Sequence, residues 1–239
     1  MAKNFPPGRC VHCLKYCEKP YSDHVFSRSW YPDTTPVHLE KWQIPSCEKC
    51  NQDYSKIENE ILQIFGMCIN PNHTASQGVV QKAIRAISPE CGKNPHDTDC
   101  RSRARVKLIQ KVLPEKNIHY ESLLPSKYSL PNSKEPCALP ISVESLTKMG
   151  EKFIRGITFV VDNRYFEPSY KIDIVFQYES NVKNIIQLYK PYFKRFSCGP
   201  GIIIDRAVSP NDPQSGIYYI EIWKFWYMYG FCCNKMETD

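Results

Sequence analysis

The sequence predicts an α+β protein in two parts: a small cysteine-rich unit followed by helices, then a separate α+β domain with an antiparallel sheet. Three observations carry this expectation. Two C-x2-C pairs, Cys10 with Cys13 and Cys47 with Cys50, frame the N-terminal stretch. Apolar residues recur at helical spacing between 51 and 113, whereas strand-like apolar runs dominate after 170. Between these regimes lie Pro114, Pro125, Pro131, Pro136 and Pro140, each removing a backbone donor and constraining the residue before it.

The elements follow in order. Tyr54, Ile57, Ile61, Leu62 and Phe65 share one helical face over 51–65, with Glu58 and Glu60 read as exposed acids ahead of extra metal ligands; Asn70-Pro71-Asn72 ends the run. A short helix is expected over 78–87. A third, capped by Asp97 or Asp99, runs to Leu113 and stops at Pro114. Residues 114–140 read as a Pro-rich linker. Ser142 then caps a helix whose apolar positions are Val143, Leu146, Met149, Phe153, Ile154 and Ile157. Strands are expected over 172–176, 201–208 and 217–229, with a helix over 181–189 ended by Pro191. Gly199-Pro200-Gly201 reads as a turn into the second strand, the polar loop 209–216 joins the last two, and 234–239 reads as a short tail. The organisation is therefore 1–113, the linker 114–140, and an α+β domain over 141–239.

Composition narrows the classes. In 239 residues, 42% hydrophobic and 23% charged side chains exclude a mainly disordered chain. No apolar run approaches the ~18–20 residues that cross a bilayer, and the first residues lack the apolar core of a signal peptide, so a cytoplasmic protein is expected. In a reducing compartment, clustering among the 12 cysteines points to metal rather than disulfides. The net charge of +6 permits a polyanionic partner.

Cys10, Cys13, Cys47 and Cys50 can give four thiolates to a tetrahedral structural zinc, each pair forming a tight knuckle. Cys17 and His12 are weaker rivals for a ligand position. Between the knuckles lies Ser22-Asp23-His24-Val25-Phe26, and Asn51 follows the second knuckle directly. In this order of residues the sequence resembles the HNH (ββα-metal) endonucleases, over about residues 8–66. In that family an acidic residue and a histidine end the first strand, and a loop, a second strand, a Cys-x2-Cys knuckle and a helix beginning with His or Asn follow. Trp42 stands where the family has its middle asparagine, with His38 and Lys41 as nearby substitutes, and the family's loop glycines are replaced by 27–33.

The resemblance implies a small zinc-stabilised ββα-metal nuclease domain and a metal-dependent endonuclease that hydrolyses phosphodiester bonds, in double-stranded DNA ahead of RNA. His24 would be the general base, and Asp23 and Asn51 would hold a catalytic Mg²⁺ or Mn²⁺. The residue types suit these roles: imidazole titrates near neutrality, and carboxylate and amide oxygens are hard ligands. The loop 27–33 is expected to present Arg28 and aromatic rings to nucleic acid. Arg101, Arg103, Arg105, Lys107 and Lys111 form rows on one helix, a stripe suited to phosphate contacts. The alternatives are a non-catalytic zinc-dependent nucleic-acid-binding module and an interaction protein working through its aromatic C-terminal half. That half, with the aromatic run 217–227, is expected to recognise a target or partner.

Overall fold

The computed structural model describes residues 3–114, 137–176 and 180–235. The expected linker therefore lies largely outside the described residues, as do the last four of the tail. The protein is mixed α and β, and no described helix is long and apolar enough to cross a membrane.

Two minimal strands, β1 (Gly8–Arg9) and β2 (Tyr16–Cys17), pair antiparallel around the first knuckle. The turn is tied by Cys10 N–H to Lys15 O (2.8 Å) and Leu14 N–H to Cys10 O (2.9 Å), with Leu14 at φ 63°. Strand β3 (Tyr21–His24) pairs antiparallel with β4 (Gln43–Ser46), and helix α1 (Glu48–Gly66) follows at once. Cys47 is the N-cap of α1, its sulfur accepting from Cys50 N–H, so the second knuckle and the helix start are one structure. Helix α2 (Val79–Ala86) packs on α1, where a Cβ on Gly66 would lie 2.4 Å from the Ala83 Cβ.

Helix α3 (Pro95–Lys111) is capped by Asn94, which accepts from Asp97 N–H at 2.9 Å, not by Asp97 or Asp99. Pro95 at the first helical position explains the earlier start, since its missing N–H needs no partner there. Strands β5 (Leu113–Pro114) and β6 (Cys137–Ala138) bracket the expected linker as a short antiparallel pair.

Ser142 caps helix α4 (Val143–Asp162) through Ser145 N–H. Strand β7 (Tyr170–Phe176), helix α5 (Ser180–Tyr189) and strands β8 (Lys194–Ser197), β9 (Ile202–Val208), β10 (Gly216–Ile222) and β11 (Trp226–Asn234) complete the chain. They form a five-stranded antiparallel sheet in the order β7-β11-β10-β9-β8. The expected strand 217–229 is thus two strands. Trp223 (φ 58°) and Lys224 (φ 57°) both take left-handed backbone in the three-residue connection 223–225 between paired Ile222 and Trp226, a conformation that Asn or Gly usually signals.

Helix α4 lies between the sheet and the β3–β4 hairpin. A Cβ on Gly156 would approach Val25 to 2.9 Å, and one on Gly150 would approach Ile174 to 2.9 Å, so glycine lets one helix contact both layers closely. Buried residues from Val11 to Cys232 belong to one hydrophobic cluster. At its centre Trp30 meets Phe153, Trp223 and Trp226 edge-on, with ring centroids 5.5–6.0 Å apart. The two segments expected as separate domains therefore share a core.

Candidate functional site

The sulfurs of Cys10, Cys13, Cys47 and Cys50 all lie within 4.8 Å of one another, with Cys13 and Cys47 at 3.8 Å. A tetrahedron with Zn–S bonds of about 2.3 Å has edges of about 3.8 Å, so the set could hold one such ion. Burial raises the Cys10 thiol pKa, but backbone N–H groups of Cys13, Cys47 and His12 aimed at its sulfur outweigh burial and hold it below the usual thiol range. At Cys10 these inward-pointing amides favour thiolate, the form that ligates metal, whereas burial, with the neighbouring sulfurs, raises the Cys13 and Cys50 thiols. Cys17 instead donates to Lys15 O, and His12 is engaged elsewhere.

Successive strand residues face opposite sides, and β3 uses this to separate its acid from its base. Asp23 points inward and is 6% exposed. Its Oδ2 accepts from His12 Nε2 at 2.9 Å and its Oδ1 from Lys152 Nζ at 3.0 Å. The same ammonium donates to Glu58 Oε1 at 2.5 Å. Tyr54 closes the network, its ring tilted against His12 with centroids 4.5 Å apart and lying 5.4 Å from Lys152 Nζ.

Electrostatics follow from burial and from this one cation. Burial raises the Asp23 pKa, but the Lys152 ammonium and the His12 bond outweigh it and hold the carboxyl below its ordinary value. For Glu58, burial wins over the same ammonium and the pKa is raised. Burial pushes His12 down despite its bond to Asp23, which favours neutral imidazole.

His24 faces the other way, into a cleft of about 570 Å³ lined by Lys3, Arg28, Glu40, Lys41 and Gln43 among others. Burial, with the charge of Arg28 next, lowers its pKa to about 4. The imidazole is neutral at physiological pH, and its ring nitrogens make no hydrogen bond among the described residues.

The expected catalytic-metal ligands Asp23 and Asn51 have separate engagements among the described residues. Asn51 sits in the first turn of α1, its backbone N–H bonded to Cys47 O at 3.0 Å. Among the described residues, no hydrogen bond or ion pair joins its side chain to Asp23 or His24. Asp23 has both oxygens committed to protein donors. A hard divalent ion held by one or two carboxylates keeps several waters, and a buried carboxylate with both oxygens taken by His12 and Lys152 has neither a free oxygen nor room for them, so the donor set does not fit Mg²⁺ or Mn²⁺. The four cysteines are the one group of three or more His, Cys, Asp or Glu side chains among the described residues placed to share an ion.

Other expectations shift with burial. Arg28 reaches the cleft, but Trp30 and Tyr31 from the same loop are 0% and 2% exposed and face the core. Trp42 packs edge-on against Phe196 at 6.2 Å, Lys41 lines the cleft, and His38 is exposed. On α3, Arg101 pairs with Asp97 at 3.1 Å and Arg103 with Asp99 at 2.9 Å, one turn earlier in each case. Lys111 pairs with Glu60 at 2.6 Å. Arg105 and Lys107 enter no ion pair among the described residues, and Lys107 lines a groove of about 540 Å³ between α1 and α3 together with Lys56. The basic stripe is therefore largely neutralised.

Sequence reasoning missed Lys152 and misplaced Glu58. Both carried a signal. Lys152 falls within the buried stripe of α4 beside Met149 and Phe153, where a lysine needs a buried partner, and Glu58 continues the Tyr54–Ile61–Phe65 face of α1. No family model, no curated protein and no solved structure matches this chain.

Proposed function

We propose that the protein acts on nucleic acid as a zinc-stabilised endonuclease of the HNH type, with His24 as the general base of phosphodiester hydrolysis and double-stranded DNA as the favoured substrate. The observation that carries this is the placement of a neutral, unengaged imidazole at the end of β3 in a basic cleft, on a hairpin held beside the four-cysteine cluster.

In this reading Cys10, Cys13, Cys47 and Cys50 would hold a structural zinc, which would tie the two knuckles and so help fix β3 and β4 against α1. A phosphate entering the cleft meets Lys3, Arg28 and Lys41, whose charge favours its binding and the charge that builds up in the transition state. That phosphate also offsets the field of Arg28, which raises the basicity of His24 toward the range where proton transfer is efficient. Water deprotonated at the imidazole attacks phosphorus, the opposite P–O bond to the leaving nucleoside oxygen breaks, and that oxygen takes its proton from solvent or from the imidazolium just formed. No step is assigned to a divalent ion at Asp23.

A second reading, a zinc-dependent nucleic-acid-binding module without chemistry, is favoured by one observation: both oxygens of Asp23 are spent inside the protein. Nicking of supercoiled plasmid by wild type and His24→Ala, alongside a binding titration of each, separates the two. Cleavage lost in the variant with binding retained supports the nuclease. Equal binding with no cleavage by either supports the module.

A further inference from the structure

We infer that Lys152 is the resident cation of the Asp23 site: its ammonium stands between Asp23 and Glu58 in the position a shared metal ion would need, and excludes Mg²⁺ or Mn²⁺ from it. The inference rests on the HNH-type reading only for the ligand role it replaces. Three observations support it.

The first is geometry. Lys152 Nζ lies 3.0 Å from Asp23 Oδ1 and 2.5 Å from Glu58 Oε1, bridging β3 and α1 from the far side of the core. The second is burial. Lys152 is 0% exposed, and the Asp23 and Glu58 side chains are 7% and 12% exposed, so no open path brings a hydrated ion to the carboxylates. Magnesium sheds its water reluctantly and normally keeps several molecules, which this packing does not admit. The third is charge. A buried lysine requires compensation, and two carboxylates supply it; removing the ammonium would leave both acids facing each other in a nonpolar surround. His12 occupies the remaining Asp23 oxygen, so the carboxylate has no donor left for a metal.

The consequence concerns chemistry as well as architecture. Positive charge for a bound phosphate then comes from Lys3, Arg28 and Lys41 in the His24 cleft, on the opposite face of β3. Lys152 acts as a positioning residue: it fixes Asp23, and through it the strand that carries His24. Because Lys152 belongs to α4, the C-terminal half completes a site whose other members lie in the first 58 residues.

Manganese binding tests this directly. The full-length protein, loaded with zinc, is titrated with Mn²⁺ and free ion is read from its six-line electron paramagnetic resonance signal. Wild type, Asp23→Asn and Lys152→Arg are expected to show no Asp23-dependent loss of signal. Any Mn²⁺ bound equally by wild type and Asp23→Asn sits elsewhere and leaves the inference standing. One equivalent bound by wild type and lost in Asp23→Asn overturns it. Should Asp23→Asn fail to fold, Glu58→Gln replaces it: one equivalent bound by wild type and lost in Glu58→Gln refutes the inference, and no such loss supports it. Plasmid nicking by the same wild-type sample reads the proposed function separately, because its failure leaves the manganese result intact.

Discussion

Trp223 donates its indole N–H to the backbone carbonyl of Trp30 at 2.6 Å, joining the turn of the last hairpin to a loop 193 residues earlier. The bond sits inside the aromatic cluster that both halves of the chain build, where Phe65 and Phe153 also meet Trp226 edge-on. An N-terminal nuclease-like unit cut free of the rest would expose this surface to water.

A fragment ending at residue 113 is therefore expected not to fold alone. Its Phe26, Trp30, Ile44 and Phe65 are at most 2% exposed in the full chain and lose much of their cover without α4 and the sheet. Circular dichroism melting and amide dispersion in nuclear magnetic resonance check this. In the full chain, Trp226→Ala should cost about 3–5 kcal/mol and shift one cooperative transition rather than one of two. A fragment with dispersed amides and a sharp melt contradicts the shared-core description.

Metal content follows from the sulfur geometry. Purified protein should carry about one zinc per chain, and Cys47→Ser should lower both occupancy and melting temperature, because Cys47 caps α1 as well as completing the ligand set. Elemental analysis with a melt in excess chelator measures both. Cys17→Ser, outside the cluster, should change neither.

Lys152→Ala leaves two buried carboxylates without their cation and should destabilise the protein by about 3–5 kcal/mol. Denaturant unfolding of the zinc-loaded chain gives the number. A change within experimental error would mean that Asp23 and Glu58 are not held by this lysine.

The activity predicted for His24 has a defined pH dependence. A general base works when unprotonated, and the His24 pKa is about 4, so cleavage should rise as pH passes upward through about 4 and stay level above it. Burial is the largest cause of this lowered value and the Arg28 charge the next; Arg28→Ala should therefore move the acidic limb to higher pH while weakening DNA binding. A pH–rate profile of both proteins, with the salt dependence of binding, checks each part. On α3, Lys107→Ala should reduce the salt slope by about 1, and Arg103→Ala by less, because Asp99 already pairs with that guanidinium.

Much of the fold was legible from local rules. Spacing located α1, α2 and α4, the serine cap of α4, the β9–β10 hairpin and the cysteine cluster, since each depends on residues close in sequence or on one strict ligand pattern. Where tertiary packing decided, the sequence was less informative. Trp223-Lys224 carries no turn signature, so two strands read as one; the strong β propensity of the surrounding aromatics masked a hairpin. Asp97 and Asp99 looked like helix caps but are the i, i+4 partners of Arg101 and Arg103. The site was half visible. Asp23-His24 stands out in the sequence, yet strand alternation sends the two side chains apart, and the partner of Asp23 is a lysine 129 residues away. A charged residue inside an apolar helical stripe was the available signal for that contact.

Nicking of supercoiled plasmid by zinc-loaded wild type and His24→Ala, each first shown to be folded, tests the central claim most directly. Wild type should nick and the variant should lose about 10²- to 10⁴-fold in rate with DNA binding retained. Equal rates in the two proteins, or no nicking by wild type, would contradict His24 as the base of a nuclease.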